Sequence, residues 1–141
     1  MVMDTAMKPS KDNRKKFDID LEFGETMEDS VADMLQGKKI EVKSERGMWM
    51  KTGNIAIEYE SWSKPSGINA TESDYWFHNL CVGDDVFATL VFETDSLRKI
   101  LETMKLRSVS GGDHNASRMW LLPLKKLFET DTLEAYKNDK A

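Results

Sequence analysis

The chain holds one cysteine, three prolines and two histidines among its 141 residues. A lone cysteine, Cys81, excludes an intramolecular disulfide, and its place in an apolar strand pattern marks it as buried and inert. Two histidines, His78 and His114, are too few and too scattered for a zinc site, so structural roles are expected for both. No apolar run approaches the roughly 20 residues that cross a bilayer. The stretch "MVMDTAMKPSKDNRKK" lacks an apolar core followed by a cleavage site, so neither a membrane nor export is expected. Positive charge is in deficit. Lys and Arg number 20 against 25 Asp and Glu, a net charge of −5, and the pI is near 5.1. That balance argues against non-specific coating of nucleic acid, although a cluster of acids built to hold cations would lower it too. A cytoplasmic location is expected.

Hydrophobic residues make up 40% and charged residues 32%, the balance of one globular domain large enough for a core. Residues 1–16 read as a flexible basic arm, 17–129 as the folded domain and 130–141 as a tail. From Leu21 to Leu35 the pattern is helical, with Phe23, Met27, Val31, Met34 and Leu35 on one arc. Glu28 falls inside that arc and should face a sheet, whereas Glu25 lies nearer solvent. Gly37 ends the helix. Strands are expected near 39–45 and 54–60, joined by a loop "RGMWMKTG" centred on Trp49, and again near 75–82 and 86–93. The apolar "MWM" at 48–50 is read either as a dimer contact or as cover for a sheet edge. Thr94 or Asp95 caps a helix running to Lys105, with Leu97, Ile100, Leu101 and Met104 as its stripe. "SVSGGDHNAS" reads as a loop, "RMWLLPL" as a strand and "LKKLF" as a helical turn. The order predicts an α+β domain with a mixed sheet flanked by helices.

The stretch "GKKIEVKSER" at 37–46 carries the chemistry. Alternation puts Ile40, Val42 and Ser44 on one strand face and Lys39, Glu41, Lys43 and Glu45 on the other. That second face is either solvated or the floor of a site. In the next strand Asn54, Ala56, Glu58 and Glu60 share a face, so a hairpin centred near Trp49 would make Glu41 and Glu58 cross-strand neighbours. Like charges so placed destabilise a hairpin unless a metal ion, or Lys43 alone, neutralises them. A set of Glu28, Glu41 and Glu58 around Lys43 suits metal-assisted phosphodiester hydrolysis. Carboxylates hold Mg²⁺ or Mn²⁺, and a lysine positions water or phosphate. Trp62, Tyr75 and Trp76 are expected as core or loop anchors rather than as base-stacking platforms. Arg118 either contacts DNA or caps its strand, and "SGGDHNAS" lacks the Gly-Lys-Ser/Thr ending of a P-loop.

The segments "FGETMEDSVADML", "KKIEVKSER", "TGNIAIEYE", "KPSGI", "ESDYW" and "GGDHNASRMWLLPL" resemble small phage and plasmid proteins of the PD-(D/E)XK nuclease superfamily, over about residues 18–128. The resemblance implies a restriction-endonuclease-like αβββαβ core, Mg²⁺- or Mn²⁺-dependent cleavage of DNA without a nucleotide cofactor, a homodimer, and the host cytoplasm. Its (D/E)-x-K half-motif falls on Glu41 and Lys43, and its helix glutamate on Glu28. Phosphate contacts are then expected from Lys39, Arg46, Lys51 and Arg118. The superfamily's separate acid, often after Pro, is missing, since only "QGK" separates the helix from "IEVK". Two alternatives follow. Either Glu41 is that acid and Glu58-Tyr59-Glu60 the half-motif, or the chain is a catalytically silent DNA- or protein-binding module.

Overall fold

The computed structural model describes residues 11–34 and 36–140, so Lys8 of the basic arm and Leu35 of the helical arc lie outside it. Two compact units are present, Met1–Lys38 and Lys39–Ala141. The first contains one helix, α1 (Lys11–Met34). It therefore begins ten residues before Leu21 and takes in residues 11–16, which were expected in the arm. Gly37, in the left-handed region at φ 67°, follows its end as expected. Leu21, Phe23, Met27 and Val31 are exposed.

The second unit is α+β, with a mixed three-stranded sheet and an antiparallel four-stranded one. Its strands are β1 (Ile40–Glu45), β2 (Asn54–Ser61), β3 (Lys64–Pro65), β4 (Tyr75–Val82), β5 (Asp85–Glu93), β6 (Arg107–Gly111) and β7 (Ser117–Pro123). The helices are α2 (Met48–Thr52), α3 (Thr94–Thr103), α4 (Leu124–Leu127) and α5 (Thr130–Lys140). The mixed sheet runs β1-β4-β5, with β1 parallel to β4, and the other runs β3-β2-β7-β6.

The hairpin expected between residues 39–45 and 54–60 does not form. Residues 48–52 make helix α2 instead of a loop, capped by Gly53 in the left-handed region at φ 74°. The Gly53 carbonyl accepts the Leu124 N–H, which starts β2 alongside β7. β1 finds its ladder with β4, anchored where Lys39 N–H donates to the Asp74 carboxylate and Lys39 C=O accepts from Asp74 N–H. Two further expectations are corrected. Residues 108–111, read as loop, belong to the edge strand β6 against β7, because Ser-Val-Ser supplies ladder bonds without a hydrophobic pattern. Thr94 does not cap α3; its hydroxyl bonds the Ser73 hydroxyl at 3.0 Å inside the fold. The stretch expected as a tail is helical in α5, where Tyr136 Oη donates to Ser96 of α3 at 2.9 Å.

The core draws on both sheets and on α3: Ile55, Ile57, Ile68, Trp76, Leu80, Leu97, Leu122 and Leu127 form one buried cluster. Cys81 is buried as expected. The opposite face of the mixed sheet is open, with Val42, Phe87 and Val91 exposed beside a hydrogen-bonded row of Ser44, Asn79 and Thr89.

Candidate functional site

The two faces of β1 are inverted relative to a solvated hairpin. Ile40, Val42 and Ser44 are exposed, whereas Glu41, Lys43 and Glu45 are half-buried. Parallel register explains this. Glu41 stands beside Trp76, Lys43 beside His78 and Glu45 beside Leu80, and those three β4 residues form its buried face. The charged side of β1 thus lies along the inner face of the sheet. Placing three charged side chains there is unfavourable unless each finds a partner.

Two of them have identifiable partners. Lys43 Nζ sits 5.9 Å from the centroid of the Trp76 ring, within reach of a cation–π attraction. Glu45 has the richest set. Its Oε2 accepts the Ala56 N–H at 3.0 Å and meets His78 Nε2. His78 itself is 1% exposed, and the Glu45 side chain 19%. Trp76 Nε1 lies 3.1 Å from His78 Nδ1. An indole nitrogen only donates, so Nδ1 must accept and the ring proton sits on Nε2, aimed at Glu45. Trp76, His78 and Glu45 therefore form a directed chain of donors ending on a carboxylate. That carboxylate also takes a backbone N–H from β2, which joins the mixed sheet to the antiparallel one.

Glu58 is held differently. Its ladder partner on β7 is Met119, not Glu41, so the expected cross-strand pair of carboxylates does not exist. Alternation places Glu58 on the β2 face opposite the buried Ile55 and Ile57. The turn at Gly67–Asn69 packs on its backbone so tightly that a Cβ on Gly67 would lie 2.1 Å from the Glu58 carbonyl oxygen. Gly67 also has φ 51°, so only glycine fits. A ladder irregularity follows between Glu58 and Glu60, and Glu60 then pairs with Arg118 at 3.6 Å. Glu28 and Glu25 are exposed on α1, in the first unit. Among the described residues, no three His, Cys, Asp or Glu side chains form a group that could hold a metal ion.

The candidate phosphate-binding side chains are all exposed: Lys39 before β1, Arg46 after it, Lys51 on α2 and Arg118 on β7. Arg46 is 3.3 Å from Asp84, both at the surface. Of "MWM", Met48 and Met50 are exposed, while Trp49 Nε1 donates to the Cys81 carbonyl at 2.9 Å. Trp76 is a core anchor as expected, but Trp62 is 65% exposed at the tip of the β2–β3 turn. No family model, no curated protein and no solved structure matches this chain.

Sequence reasoning missed Glu45 and the partners of His78. A signal was present: in "YWFHNLCV" His78 shares its strand face with Trp76 and Leu80, so it had to be buried and to find a partner.

Proposed function

We propose that the chain is a divalent-metal-dependent DNA endonuclease of the PD-(D/E)XK type, with Glu41 and Lys43 at its centre. The observation that carries this is the inward turn of the Glu-Val-Lys strand, which holds a carboxylate and an ammonium half-buried where a structural strand would bury Ile40 and Val42. Glu41 offers the hard oxygen that Mg²⁺ or Mn²⁺ prefers, whereas Glu58 belongs to the other sheet and Glu28 to the first unit, so Glu41 alone carries the metal part of the proposal. Mg²⁺ is commonly held by one or two carboxylates, with water and substrate phosphates filling its other positions. Glu41 by itself would leave those other positions to water and phosphate. A bound ion supplies acidified water and charge stabilisation at the phosphate. The chain's own contribution is at Lys43. Its Nζ, 5.9 Å from the centroid of the Trp76 ring, is a cation on the same strand face as Glu41.

A second proposal has a specific observation in its favour. Glu41 and Glu58 belong to different sheets, which suits a module that binds DNA or protein without cleaving it.

Calorimetric titration with Mn²⁺ separates the two. The wild type is expected to bind in one saturable step that Glu41→Ala abolishes. Heats that are equally absent from both chains would leave the non-catalytic module.

A further inference from the structure

The two sheets end, among the described residues, on four edge strands: β1 and β5 on the mixed sheet, β3 and β6 on the antiparallel one. An edge presents unpaired N–H and C=O groups and invites another strand, so natural sheets guard it with shortness, proline or charge. Three of these edges are guarded. β1 alternates Glu41, Lys43 and Glu45 along its inward side, β3 is two residues long with Pro65, and β6 is five residues long with Arg107 at its start. β5 carries no such guard along its middle. It runs for nine residues, and between Asp85 and Glu93 the stretch "VFATLVF" holds no charge, proline or glycine. Val86, Phe87 and Val91 on it are exposed. The ladder to β4 shifts at Phe87, which has no partner there and is 72% exposed.

The open row of β5 follows from its ladder. Thr94 N–H donates to the Asp74 carbonyl, one step beyond the facing residues Tyr75 and Glu93, so those two do not bond each other. By alternation Glu93, Val91 and Thr89 turn their N–H and C=O groups away from β4, toward the open side. The sequence there reads nearly alike in both directions. With a second β5 antiparallel and Thr89 facing its own copy, Phe87 stands opposite Val91, Val86 opposite Phe92 and Ala88 opposite Leu90. Thr–Thr and aromatic–β-branched pairs are favourable cross-strand neighbours, and in the third pair a small side chain meets a large one. A two-fold interface needs this kind of self-match. An apolar groove lined by Phe92, Ile100, Leu127, Phe128 and Leu133 adjoins the same edge, on the side that Val86 of a second copy would enter. Covering Val86, Phe87, Val91, Phe128 and Leu133 in both copies removes roughly 1,000 Å² of accessible surface, about what a specific interface needs. One unfavourable pair, Asp85 opposite Glu93, closes each end.

We infer that β5 is a dimer interface, where two copies of the chain join edge to edge and make one six-stranded sheet from their two three-stranded ones. The occupant is a second copy because an unrelated extended peptide would require no symmetry of β5 about Thr89. The inference stands apart from the nuclease proposal above.

The test is analytical ultracentrifugation of the full chain from about 1 to about 100 µM. The wild type is expected to show a reversible monomer–dimer equilibrium in that range. Phe87→Lys puts a charge at the exposed centre of the edge, and Val91→Pro removes an N–H that points away from β4. Each should weaken the dimer about tenfold or more. In dilute solution, where the wild type is monomeric, Phe87→Lys should melt within a few degrees of it, and it decides the matter if Val91→Pro does not fold. Asp85→Lys should tighten the dimer severalfold, since it then faces Glu93 of the partner. Added salt should tighten the wild-type dimer and loosen that of Asp85→Lys. A wild type that stays monomeric at about 100 µM would overturn the inference. A dimer untouched by Phe87→Lys would do so too, by placing the contact on another surface such as the exposed apolar residues of α1. So would a dimer that Asp85→Lys weakens.

Discussion

Replacing Glu45 by Ala is expected to destabilise the second unit by about 3 kcal/mol in chemical denaturation. The substitution removes the acceptor for two groups at once, the His78 Nε2 proton and the Ala56 N–H. His78 is 1% exposed, so water cannot replace the lost partner without opening the core. The Glu45 side chain keeps some solvent contact, which holds the expected cost at the lower end for a buried pair. Glu45→Gln should lose less, about 1 kcal/mol, since an amide oxygen in the place of Oε2 can still accept both protons, though without the carboxylate's charge. A cycle with His78→Phe checks the cause. Phenylalanine needs no acceptor, so adding Glu45→Ala to it should do much less harm than Glu45→Ala does alone. A single variant within about 0.5 kcal/mol of wild type would show that Glu45 does not hold the sheets together.

Lys43→Ala is expected to lower DNA cleavage in Mg²⁺ or Mn²⁺ by a factor of about 100 or more, the usual effect of deleting one charge-stabilising donor at a phosphoryl centre. Its effect on stability should stay within about 1 kcal/mol, because the interaction lost is one cation–π contact at a half-buried site. That contrast separates a catalytic role from a structural one. Linear and branched DNA should be compared, with denaturation midpoints measured on the same samples. Cleavage that continues undiminished in the variant would remove Lys43 from the mechanism. A large fall in stability would make the side chain part of the framework instead.

Elements whose signal is local were legible in the sequence. β4 and β5 follow apolar alternation broken by a Gly-Asp-Asp turn, and α3 follows a stripe from Leu97 to Met104. Partner choice was not legible. Residues 40–45 pair equally well, by pattern, with the next strand or with one 35 residues on. What decides is α2, a five-residue helix whose sequence "MWMKT" looks like an apolar loop. Once β1 lies against β4, the charged face turns inward. The question raised by alternating Glu and Lys is then answered by Trp76 and His78, residues remote in sequence. The Glu41–Glu58 pair depended on the hairpin and is absent with it. The turn at Trp62 and Ser63, with φ 51° and 62°, was hidden because Trp-Ser carries none of the composition that announces positive φ.

The carboxylate that ties the sheets together meets an imidazole 33 positions further along the chain. A ribosome must therefore emit β2, the Gly67 turn and most of β4 before β1 has either its ladder or its acceptor's partner. Until then the β1 backbone that will pair with β4 is free to pair wrongly with other nascent chains. Fragments that stop before residue 78 should aggregate rather than fold, and maturation of the polar floor should lag behind the helices.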